Sequence, residues 1–173
     1  KERSKYFATL ESTLEGQMCF YAVHMRDSAP ALCTLLDRRL ALKGRLFSAS
    51  IMQRQRERES TEIEHRPQRV KVHWSEVRES LLPKEAAVEI VRFRLFTTNW
   101  TDTVYYAALI TTTETMEHPK LVLLTNGNQL EDQGAKLYRA ATQIDALDSD
   151  RYRCYQWFWQ RIDSALGDVH TVY

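Results

Sequence analysis

Between Ala86 and Phe96 the chain alternates with a period of two: Val91, Phe93 and Leu95 fall on one side, Arg92 and Arg94 on the other. Successive side chains of an extended backbone point to opposite faces, so this run reads as a strand with one buried and one solvated face. Upstream the period changes. Phe7, Leu10, Leu14, Met18, Tyr21 and Met25 recur every three or four residues, the stripe of an amphipathic helix over residues 5–26. A chain that carries both periods in separate blocks is predicted to be α/β.

The blocks divide the chain into three parts. Asp27-Ser28-Ala29-Pro30 breaks the first helix, and Pro30 suits the first turn of a second. That helix places Leu32, Leu35, Arg39, Leu42, Leu46 and Ala49 on one stripe, an arginine in the middle of an apolar face. Residues 1–52 therefore read as an antiparallel helical hairpin. Residues 53–72 open with Gln53-Arg54-Gln55-Arg56-Glu57-Arg58-Glu59-Ser60, polar and mixed in charge, and read as a flexible linker. Without aromatic interleaving, and with acids offsetting the bases, the run does not make a nucleic-acid patch.

Residues 73–173 carry the sheet. Ser75 is the expected cap of a short helix with Trp74, Val77 and Leu81 on one side, stopped by Pro83. The strand 86–96 turns through Asn99-Trp100-Thr101-Asp102 into a second strand, 104–113, rich in β-branched and aromatic residues. A third strand is expected at 121–125, and Asn126-Gly127-Asn128 leads into a helix with Leu130, Gly134, Leu137, Ala141 and Ile144 on one stripe. Asp148-Ser149-Asp150 caps a last helix with Tyr152, Tyr155, Phe158 or Trp159, Ile162 and Ala165 aligned. Gly167 closes it in a left-handed cap, and a strand starts at Val169. Because that strand runs to Tyr173 with no polar tail, the sequence reads as part of a longer polypeptide.

Composition excludes several classes. Lys and Arg number 24 against 23 Asp and Glu, so net charge is +1 and no bulk field selects nucleic acid or an anionic membrane. No apolar run approaches the roughly 18 residues of a membrane span. Three cysteines are too few for a disulfide framework, which points to a reducing, cytoplasmic compartment.

The chemistry-bearing residues give little. No glycine-rich phosphate loop occurs, and His24, His65, His73, His118 and His170 form no metal signature with the cysteines, so no cofactor is expected. Cys19, Cys33 and Cys154 read as small buried hydrophobes rather than nucleophiles. His118 reads as a loop histidine and His170 as a strand residue, and the four tryptophans as core rather than a stacking platform. Glu89 stands out, because it shares parity with Val91 and Phe93 and so faces the core. A buried carboxylate needs a partner. Arg39 is the candidate, and a structural Arg39–Glu89 pair would dock the hairpin on the sheet. No catalytic, cofactor-binding or metal-binding residue is assigned.

The order of segments resembles a known family. The helix Leu35-Leu36-Asp37-Arg38-Arg39-Leu40-Ala41-Leu42-Lys43-Gly44-Arg45-Leu46 is similar to the one that precedes CHAT domains, caspase-like modules often found behind tetratricopeptide repeats. Trp74-Ser75-Glu76-Val77, then Leu81 to Phe93, resembles that family's opening helix and first strand. Tyr105 to Ile110 looks like its next strand, and Gln156 to Tyr173 like the helix and strand that lead into its "SPDG" motif. The resemblance implies a partial caspase-like mixed sheet with flanking helices, the amino-terminal, non-catalytic lobe of a cysteine endopeptidase. The family's His-Gly base and strand-end Cys nucleophile have no counterpart in this chain and would lie beyond it. The partners so implied are the remainder of the same polypeptide, a tetratricopeptide-repeat region or regulatory protein, and a polypeptide substrate. The competing expectation is a non-enzymatic protein–protein interaction module.

Overall fold

The computed structural model describes the backbone of residues 2–58 and 72–173, and side chains over 13–44 and 72–173. Most of the predicted linker 53–72 lies outside the described residues, as do the side chains of Phe7, Leu10, Leu46 and Ala49.

Two long helices, α1 (Glu2–His24) and α2 (Ala29–Arg58), form the amino-terminal hairpin. A short helix α3 (Trp74–Ser80) leads to β1 (Glu85–Phe96), β2 (Trp100–Thr112) and β3 (Lys120–Leu124). Helix α4 (Gly127–Gln129), a π-helical turn (Leu130–Gly134) and α5 (Ala135–Ala141) follow as one run. Then come α6 (Asp148–Phe158), α7 (Gln160–Leu166) and β4 (Thr171–Val172). The sheet order is β3-β2-β1-β4, antiparallel except for the parallel β1–β4 pair. The architecture is the predicted mixed α/β class, an amino-terminal hairpin and a four-stranded mixed sheet with helices on both faces.

The strand alternation sorts two cores onto the two faces. Val91, Phe93, Ala107 and Leu109 pack against Met18, Cys19, Ala22, Leu32, Leu35 and Leu36 of the hairpin. Ala86, Ala108 and Ile110, one residue out of phase, pack with Leu124 against Ile162 and Leu166 of α7. A one-residue slip would turn both sets to the wrong face, so the register is strongly specified. Burial of an aromatic such as Phe93 contributes on the order of 2 kcal/mol from its apolar area alone.

Several boundaries differ from expectation, each for a local reason. The tip of the β1–β2 hairpin is tighter than predicted. Thr97 N–H bonds to Asn99 C=O, and Trp100 already pairs with Phe96 across an irregularity after Arg94. Trp100 is part of the strand because its ring packs edge-on against Phe96 and under the Arg94 guanidinium. The α3 cap is not Ser75. His73 occupies the cap position, and its N–H is accepted by the Glu76 carboxylate. The next amide, Trp74 N–H, is accepted by Asp37 of α2 at 2.7 Å, so the neighbouring helix satisfies an orphan donor of the first turn.

The predicted last helix is two helices, broken at Trp159, and Tyr152 and Tyr155 are exposed. The buried face instead runs through Ile162 and Leu166, with Trp157, Phe158 and Trp159 half-buried. Ile144 lies beyond the end of α5 and is fully exposed. Gly167 has φ +65° as expected of a closing glycine, but ψ −120° takes it out of the left-handed helical region into one that only glycine tolerates. β4 begins at Thr171 rather than Val169.

Candidate functional site

The junction of the hairpin and the sheet holds the one charged residue buried among the described residues. Glu89 is 7% exposed and projects from β1 toward α2. Arg39 donates to its Oε1 twice, from Nε at 3.2 Å and Nη2 at 3.0 Å. Lys43, one turn further along α2, donates to Oε2. The arginine on the apolar stripe and the carboxylate on the core face thus meet, 50 residues apart in sequence. Lys43 escaped the sequence reading. Its i+4 spacing from Arg39 was a signal that only the direction of Glu89 makes informative.

The three groups differ in weight. The Glu89 and Arg39 side chains are largely buried, 8% and 21% exposed, whereas Lys43 is 61% exposed. A pair held dry is expensive to break, about 3–5 kcal/mol when one partner is removed, because the survivor stays buried and uncompensated. A largely exposed ammonium contributes about 0–1 kcal/mol. The Arg39 side of the cluster therefore carries the docking.

Side chains cap parts of the sheet edges. β4 pairs with only the first part of β1. Further along, Arg94 N–H is accepted by Glu15 Oε1 of α1 at 2.9 Å, and Phe96 N–H by Cys19 Sγ at 3.1 Å. On β2, beyond the end of β3, Val104 N–H is accepted by Asn128 Oδ1, and Asn128 Nδ2 donates to Asp102 C=O, both at 2.7 Å. Asn128 stands in for a strand, and unpaired edges are where sheets aggregate. A β-carbon at the adjacent Gly127 would collide with the Val104 carbonyl.

No hydrogen bond joins a cysteine to a histidine among the described residues. Cys19 is buried against the β1 edge. Cys33 donates to Glu117 C=O, and burial, reinforced by the Asp37 carboxylate, pushes its thiol up. Burial also raises Cys154. Catalysis requires the opposite shift, since the thiolate is the nucleophile. His118 is half-buried, its Nδ1 in contact with Pro119 C=O, rather than a free loop histidine. His170 is exposed beside Asp168, just before β4 rather than in it. Trp100 is more exposed than a core residue. Among the described residues no group of three His, Cys, Asp or Glu is placed to hold a metal, and no helix is long and apolar enough to cross a membrane.

A second polar cluster lies on the opposite face. Glu131, in the π-helical turn, binds Arg92 Nε at 2.5 Å and the Tyr106 hydroxyl at 3.0 Å. The Arg92 hydrogen bond leads in holding Glu131 below the usual carboxylate range, while burial leads in raising Tyr106. Every member is partnered, so the cluster ties the turn to the sheet and offers no free acid or base.

The chain matches no family model, no curated protein and no solved structure.

Proposed function

We propose that this chain is the amino-terminal, non-catalytic lobe of a CHAT-type, caspase-like cysteine endopeptidase, supporting a His/Cys site carried beyond it. The observation that carries this reading is the parallel pairing of β4 on β1. It sets the segment that resembles the approach to the family's "SPDG" motif beside the strand that resembles the family's first. The helical hairpin, which resembles the helix preceding such domains, is fixed to the same sheet through Glu89. Thiols raised by burial and without a hydrogen bond to an imidazole among the described residues fit a supporting rather than a catalytic lobe. On this reading the partners are the catalytic remainder of the polypeptide, a tetratricopeptide-repeat region or regulatory protein, and a polypeptide substrate, in the cytoplasm.

A second reading, a non-enzymatic interaction module, draws on one observation. Tyr138, Ile144, Leu147 and Tyr152 are large apolar residues left exposed along α5, α6 and their connection. Exposed apolar clusters of this kind mark partner surfaces.

The two readings separate on the polypeptide as encoded. Its sequence past Tyr173 is read, and the whole protein is assayed for hydrolysis of an unfolded protein. The lobe reading expects a His-Gly and a strand-end Cys, with cleavage abolished by Cys→Ala at that position. An encoded protein with neither residue and no cleavage overturns it in favour of the interaction module.

A further inference from the structure

We draw no further inference here: the strongest candidate, the exposed apolar patch of Ile144, Leu147 and Tyr152 on the α5–α6 connection and the start of α6, carries nothing, because the exposed charges along the same segment mix acids with bases, Asp145 and Asp148 with Arg139 and Arg151, so that no charge selects a partner and nothing in the structure shows what covers it.

Discussion

Glu15 on α1 accepts three donors of Arg94 on β1, the backbone N–H at 2.9 Å and the guanidinium Nε at 3.1 Å on Oε1, and Nη2 at 3.3 Å on Oε2. One carboxylate thus closes a free strand edge and pins a helix across it. Burial raises the Glu15 pKa, but the Arg94 hydrogen bonds outweigh it, and the net shift is below the usual 4.5. Glu131 is also lowered, chiefly by Arg92. A carboxylate depressed in the folded state contributes stability that is fully present above its unfolded value and is lost as pH falls through its folded value. The urea midpoint should therefore be flat from about pH 7 to 5 on account of these two groups and fall below about 4.5. Glu15→Gln should flatten part of that acid limb. An unchanged limb in both Glu15→Gln and Glu131→Gln would contradict the assignment.

The thiols should be slow nucleophiles. Cys33 and Cys154 are raised by burial, and Cys19 is enclosed by the hairpin and the β1 edge. Thiolate fraction and access set the rate of alkylation. Iodoacetamide at pH 7.5 should label the native protein at least tenfold more slowly than the urea-unfolded chain, with Cys19 the slowest. A native cysteine reacting as fast as free cysteine would show an activated thiol that the geometry does not contain.

Two glycines should answer alanine with opposite signs. At Gly16 an added β-carbon meets only Trp100 ring carbons at 3.9 Å, an ordinary contact inside a helix. Gly16→Ala should stabilise by about 0.5–1 kcal/mol through helix propensity. At Gly127 the same atom would collide with the Val104 carbonyl that backs the Asn128 clamp. Gly127→Ala should destabilise by about 2–4 kcal/mol, as overpacking and loss of two hydrogen bonds combine. Chemical denaturation of the two variants measures both.

The sheet was legible because its signal is geometric. Val91 and Phe93 alternate with Arg92 and Arg94, and a period of two fixes both the strand and its faces. The same parity turned Glu89 inward and singled out Arg39. The Trp159 break was not legible, since apolar residues continue at helical spacing across it and it is the packing of α7 on the sheet that decides. Of the amides at the start of α3, His73 N–H is met locally by Glu76, but Trp74 N–H is served from afar. Asp37 serves α3 from 37 residues away, and Glu15 and Cys19 close an edge nearly 80 residues downstream. Long-range satisfaction of backbone donors leaves no local pattern. Lys43 belongs to the same class, a surface lysine until its carboxylate is located.

The hairpin and the sheet are joined at Glu89, which Arg39 and Lys43 of α2 bind from the hairpin side. A double-mutant cycle of Arg39→Met and Glu89→Gln, read by urea denaturation, measures whether this junction docks the hairpin. Each single variant should lose about 3–5 kcal/mol, and the double variant clearly less than their sum, with a coupling of at least about 1.5 kcal/mol. Lys43→Met should lose less than about 1 kcal/mol. Additive losses, with coupling indistinguishable from zero, would mean that the two residues act independently and that the pair does not dock the hairpin.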